Sequence, residues 1–103
     1  MKLYVVNYCA NEFDDLGYDS PYPIYYSLNK DTAKNFYDKK FIEHQKDWDN
    51  FCINHPELKN NEDYYFINSE NSFEYSMDGK WFYEYTFNEV ELEKDLRYKL
   101  WKQ

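Results

Sequence analysis

Between Asn29 and Pro56 the chain sets Ala33, Phe36, Tyr37, Phe41, His44, Trp48, Phe51 and Cys52 at steps of three and four. Such spacing draws one apolar stripe along an α-helix. Asn29 is placed to cap its start, and Asp31 lies in the first turn against the positive end of the dipole. Pro56 disfavours helix at His55, so the helix is expected to end near Asn54. A helix of about 25 residues spans roughly 37 Å. One stripe of that length needs a broad apolar partner, and the rest of the chain has to supply it.

The segments around the helix change period. Residues 3–9 alternate Leu3, Val5 and Cys9 against Tyr4, Val6 and Tyr8. Both faces are apolar, as expected of a central strand. Asn11, Asp14, Asp15, Gly17, Asp19, Pro21 and Pro23 mark a loop over 10–22. A short strand over 24–28 follows, with Ile24, Tyr26 and Leu28 on one face, and a third is expected at 63–67.

Asp78-Gly79 signals a hairpin turn. A three-residue loop, Met77-Asp78-Gly79, pairs Tyr75 with Trp81 and Phe73 with Tyr83. One face then carries Phe73, Tyr75, Trp81, Tyr83, Tyr85 and Phe87. The other carries Ser72, Glu74, Ser76, Lys80, Glu84 and Thr86, with Phe82 the single misfit. A two-residue loop would mix apolar and charged residues on both faces, so the pattern selects the longer one, with Gly79 in a left-handed bulge.

Beyond Phe87 the period lengthens again. Asn88 and Glu91 have capping-box spacing, and Phe87 with Leu92 has staple spacing. Leu92, Leu96 and Leu100 then share a face, Glu89 and Glu91 stand at the start, and Arg97, Lys99 and Lys102 stand near the end. A helix from Glu89 to about Trp101 is expected. The alternative continues the preceding strand through Val90-Glu91-Leu92. The fold class is therefore α+β: an antiparallel sheet of about five strands, one long amphipathic helix and a C-terminal helix, in the order β-β-α-β-β-β-α. A length of 103 residues suits a single domain.

No apolar run reaches the length of a membrane span, and the first residues lack a signal-peptide pattern, so a cytoplasmic protein is expected. Two cysteines, Cys9 and Cys52, make no disulfide framework, and reduced, buried thiols are expected. Two glycines, Gly17 and Gly79, cannot build a phosphate loop. His44 and His55 stand eleven apart without a Cys-x-x-Cys, and His44 falls on the buried stripe, which fits a core histidine better than a metal ligand. His44 and Cys52 lie about 12 Å apart on a straight helix, too far to form a nucleophile pair. Acid pairs such as Glu62-Asp63, Glu74 with Glu84, and Glu89 with Glu91 could serve acid–base chemistry, but exposed carboxylates of this kind are usually solvated. No catalytic residue, cofactor or metal is expected.

The charge is uneven. The net −8 divides into −3 over residues 1–28, 0 over 29–56, −8 over 57–95 and +3 over 96–103. A field of that sign repels nucleic acid and anionic membranes and attracts basic protein surfaces. The many aromatics are not base-stacking platforms in such a field, because stacking sites also carry positive charge to hold phosphates. Tyrosines left outside the core suit a protein interface.

The acidic tract from Glu57 to Asp95, the compact length and the Tyr/Asn/Lys-rich usage of Asn60-Asn61-Glu62-Asp63-Tyr64-Tyr65 resemble small phage-encoded anti-defence proteins, the anti-CRISPR proteins among them. The resemblance is one of type and shares no motif. Several such proteins occupy a nuclease's nucleic-acid groove with carboxylates. The resemblance implies that Glu62, Asp63, Glu70, Glu74, Asp78 and Glu84 stand in for phosphates against a basic, nucleic-acid-binding host defence protein, with no direct nucleic-acid or membrane contact. Two other readings stay open: a nucleotide-sequestering module with Tyr side chains stacking a base, and a small enzyme centred on His44, His55 or Cys9.

Overall fold

The structure, a computed structural model, describes residues 1–13 and 20–92. The chain runs β1 (Lys2–Glu12), β2 (Tyr22–Ser27), α1 (Lys30–Asn54), a short 3-10 turn (Pro56–Leu58), β3 (Tyr65–Asn68), β4 (Ser72–Ser76) and β5 (Trp81–Glu91). The strands form one five-stranded antiparallel sheet in the order β2-β1-β5-β4-β3. The fold is thus α+β with one long helix. Among the described residues, no helix is long and apolar enough to cross a membrane.

Helix α1 starts and stops where its local chemistry dictates. The Asn29 side chain accepts from the Thr32 N–H at 3.1 Å. The His55 N–H closes the last turn on the Phe51 carbonyl, directly before Pro56. Ala33 and Tyr37 are buried in one cluster with Val6, Phe73, Tyr75, Tyr85 and Phe87 from the sheet. Further along the stripe the contacts become ring on ring. Tyr25 stacks on Phe36 at 4.5 Å, Phe41 meets Phe73 edge-on at 5.4 Å, and Phe51 stacks on Tyr64 at 5.7 Å. Offset and edge-to-face aromatic pairs add to the burial of their area.

β1 is central, as its two apolar faces require, and it is longer than the sequence suggests. Residues 10–12, expected in a loop, continue the strand, because Ala10, Asn11 and Glu12 pair with Tyr83, Phe82 and Trp81. The β4–β5 hairpin keeps the expected faces but not the expected pairs. Tyr75 lies opposite Tyr83 rather than Trp81, and Phe73 opposite Tyr85 rather than Tyr83. The displacement is two residues, one full pleat period, so every side chain stays on its face. The observed register centres the tip on Gly79, where Asp78 Oδ1 accepts from the Lys80 and Trp81 N–H groups at 2.9 and 2.8 Å. Gly79 does take the expected left-handed conformation, at φ 72°. A Cβ there would also lie 2.8 Å from the Tyr64 hydroxyl.

The start of the expected C-terminal helix is corrected. Asn88, Glu89, Val90 and Glu91 belong to β5 and pair with Val5, Tyr4, Leu3 and Lys2. The Asn88 amide donates to Thr86 Oγ1 at 3.0 Å instead of capping a helix. The Met1 ammonium also pairs with Glu91 at 3.2 Å. A local capping signal contributes about 1 kcal/mol, whereas the β1 ladder holds these residues at each successive pair. The remainder of that expected helix, residues 93–101, lies outside the described residues.

Candidate functional site

Helix α1 covers one face of the sheet. Among the described residues no helix packs on the other, which we call the open face. Its middle is a row of neighbours from four strands: Cys9 opposite Glu84, Glu84 opposite Glu74, and Glu74 opposite Ile67. Directly opposed residues on one face hold their Cβ atoms about 4.5–5.5 Å apart. Two carboxyl groups at that spacing repel when both are ionised.

Tyr65 relieves part of that conflict. Its hydroxyl donates to Glu74 Oε2 at 2.5 Å, a short charge-assisted bond. Burial and the Glu74 carboxylate raise the Tyr65 hydroxyl well above its ordinary value, so it remains a donor. Glu84 takes the other part. Desolvation, the Glu74 charge and a hydrogen bond with Glu74 push its carboxyl above the usual range. The pair therefore divides its roles. Glu74 accepts from Tyr65, and Glu84 is the member whose proton affinity is raised.

A carboxyl with raised proton affinity beside a second carboxyl is an arrangement that acid–base chemistry uses. The surroundings fit that poorly. The depression beside them, lined by Ile67, Asn68, Ser69 and Ser72, holds about 150 Å3. Small-molecule sites usually enclose about 300–1,000 Å3. A shallow, half-exposed carboxylate pair suits a Lys or Arg side chain from a partner better than an enclosed substrate.

The open face is apolar to either side of this row. Phe82, the misfit of the sequence pattern, packs on Phe13 at 5.4 Å, and Phe13 lies 6.5 Å from Tyr65. Toward the other end, Leu3, Val5, Asn7, Pro23, Tyr26 and Val90 line an apolar depression of about 320 Å3.

The six acids singled out in the sequence occupy separate places. Glu74 and Glu84 are brought together. Glu62 and Asp63 are exposed in the connection to β3, where the Asp63 N–H donates to Asn61 Oδ1. Asp78 sits at the tip of the β4–β5 hairpin and is engaged there. Burial pushes its carboxyl up, but bonds from the Trp81 and Lys80 N–H groups and the Tyr83 hydroxyl outweigh that and hold it below its ordinary value. Glu70 lies in the β3–β4 turn, at the far end of that hairpin, beside a depression shared with Lys30 and Lys34. Sequence reasoning missed Tyr65 as the partner of Glu74, and Cys9 as the neighbour of Glu84. The available signal was Phe82, whose place on a polar face marks that face as partly buried.

The residues of the enzyme reading are dispersed. His44 lies on the sheet-facing side of α1, with Nε2 3.2 Å from the Tyr85 hydroxyl and its ring stacked on Tyr75 at 4.8 Å. Its Nδ1 is buried without a hydrogen-bond partner, and Asp47 Oδ2 stands off at 3.8 Å. Desolvation lowers its basicity, against the opposing charges of Glu43 and Asp47. His55 is exposed and lies 3.4 Å from Glu57. Cys9 is on the opposite side of the sheet, where its sulfur accepts from the Asn11 amide. Among the described residues no group of three or more His, Cys, Asp or Glu could hold a metal ion, and neither cysteine is in a disulfide.

Comparison with known proteins finds no matching family model, no matching curated protein and no matching solved structure.

Proposed function

We propose that this protein is a non-enzymatic binding protein that sets the open face of its sheet against a basic surface of a partner protein. The observation that supports this most is the carboxylate pair Glu74–Glu84, oriented by Tyr65 and flanked by apolar and aromatic side chains on the sheet face that no helix covers among the described residues. An oriented carboxylate with apolar flanks is the arrangement that recognises a Lys or Arg whose stem also needs burial. The net charge of −8 would steer such a partner in from a distance. Glu62, Asp63 and Asp78 extend the acidic footprint at one end and Glu70 at the other. The partner class is a nucleic-acid-binding defence protein of the host, whose basic groove takes carboxylates in place of phosphates, and the protein is then a phage-type inhibitor.

Affinity capture from a host lysate, followed by titration calorimetry of the captured protein, tests the proposal. Binding should weaken steeply with salt, because exposed charges are screened beyond about 8–10 Å. Glu74→Lys with Glu84→Lys should abolish binding while circular dichroism stays unchanged. Salt-independent binding, or full binding by the double variant, rejects the reading. Thermal stabilisation by nucleotides in the absence of any partner would point to the small-ligand reading instead.

A further inference from the structure

On the helix side of the sheet, the first turns of α1 pass the turn that joins β3 to β4, and a depression lies between them. Lys30, Lys34, Glu70, Asn71, Phe87 and Glu89 line it, and it holds about 360 Å3, a volume that suits a small molecule. A second depression of about 190 Å3 adjoins it. Tyr37, Phe41, Asn68 and Ser69 line that one, and it shares Lys34 and Glu70 with the first. The walls are fixed locally. The Ser69 N–H closes the β3–β4 turn on the Ser72 carbonyl at 2.9 Å, and the Phe87 N–H donates to the Asn71 carbonyl at 2.8 Å, which seats the turn against β5. The opposite wall is the start of α1.

Charge decides what such a place can take. Lys34 is engaged: its ammonium lies 3.2 Å from Asp38 and over the Tyr37 and Phe87 rings at 4.6 and 5.5 Å. Glu89 is engaged with Lys2 at 3.4 Å. Lys30 and Glu70 form no ion pair or side-chain hydrogen bond among the described residues. One cation and one anion are thus left at the same depression. A phosphate or a nucleotide would meet Glu70 and Glu89, and a simple amine would meet Lys30 and Lys34. A molecule with a carboxylate and an ammonium on one carbon finds a partner for each. Tyr37 and Phe41 give the adjoining depression aromatic walls, which suit an apolar or aromatic side chain.

We propose that the two depressions bind a free α-amino acid with an apolar or aromatic side chain. Its carboxylate pairs with Lys30, its ammonium pairs with Glu70, and its side chain enters the depression of Tyr37 and Phe41. The site lies across the sheet from Glu74 and Glu84, and the inference does not rest on the binding reading. Titration of the full chain with L-phenylalanine, followed by amide NMR, tests it. Saturable shifts are expected at Lys30, Lys34, Glu70 and Asn71. N-acetyl-L-phenylalanine lacks the ammonium and L-phenylalanine amide lacks the carboxylate. Each should bind about tenfold more weakly, because each leaves one charge without its partner. Glycine should also bind more weakly, since it brings no side chain. Lys30 and Glu70 are exposed, so Lys30→Gln and Glu70→Gln should each weaken binding about tenfold while the melting temperature stays unchanged. Should either variant fold poorly, the blocked forms decide on the unaltered chain. Absence of saturable shifts with L-phenylalanine overturns the proposal. So does equal binding by either blocked form or by glycine, or a nucleotide that shifts the same amides at lower concentration.

Discussion

On the covered face of β4, Phe73 is 1% exposed and lies against Tyr37, Phe41, Phe66 and Tyr85. One residue further along the same strand, Glu74 faces outward against Glu84. The two environments differ most in how they treat protons. The covered face lowers the proton affinity of His44 by burying it, so acid is resisted there. The open face crowds two carboxyls, so acid is welcomed there. The two faces of one sheet thus meet two groups, His44 of α1 and Glu84 of β5, whose effects on stability run in opposite senses with pH. Burial, against the charges of Glu43 and Asp47, sets the first. Burial together with a like charge sets the second.

The largest effect should come from the covered side. Phe73→Ala removes the ring around which the aromatic cluster is arranged, and about 3–5 kcal/mol should be lost. Chemical denaturation measures it, and a loss below about 1 kcal/mol would mean that the cluster tolerates a void at its centre.

Next comes the turn that keeps the faces apart. Gly79→Val places a β-branched side chain at φ 72° and against Tyr64, at a cost of roughly 1–3 kcal/mol. Denaturation midpoints would show it, and a neutral result would show that the tip re-forms without positive φ.

The two pH effects follow, each isolated by one variant. His44 has its proton affinity lowered on folding, so its contribution is present above the ordinary 6.5 and is lost as the pH falls below that value. His44→Phe keeps a ring in place and should flatten that part of the stability–pH curve. Glu84 has its affinity raised, so its contribution is fully present below the ordinary 4.5 and is lost as the pH rises through the folded-state value. Glu84→Gln should therefore stabilise the protein at neutral pH, by about 0.2–1 kcal/mol, the range of a cross-strand pair. Its advantage should vanish in acid. Thermal melts of the two variants at several pH values check both signs, and an identical curve for Glu84→Gln and the unaltered chain would remove the strained-pair account.

The smallest effect should be Asn88→Ala, on the open face. With Asn88 in a strand rather than a cap, the change should stay within about 0.5 kcal/mol. A loss near 1 kcal/mol would be the signature of a helix cap after all.

Features written in local periodicity were legible from the sequence. The α1 limits follow from Asn29, the stripe and Pro56, and the faces of the β4–β5 hairpin follow from alternation. What was not legible depends on residues far away in the chain. Asn88 and Glu91 have the local grammar of a helix start, and only the distant residues Lys2 to Val5 reveal that they are strand. The hairpin register slipped because alternation has period two and cannot distinguish shifts of two. That same slip sets Glu74 directly opposite Glu84, where the expected register would have put Glu74 opposite Phe82, although the two acids had been named as a pair. Tyr65 was invisible as a partner for the same reason, since a cross-strand bond depends on β3 pairing with β4.

The pairing of β1 with β5 has a consequence for biosynthesis. The two middle strands of the sheet come from opposite ends of the described chain, with Lys2 matched to Glu91. At about 5–20 residues per second, roughly 4–18 s separate their emergence from the ribosome. For that time a strand with two apolar faces has β2 along one edge and nothing along the other. The full sheet can assemble only when translation has nearly reached Leu92, so one edge of β1 stays unpaired until its late partner arrives.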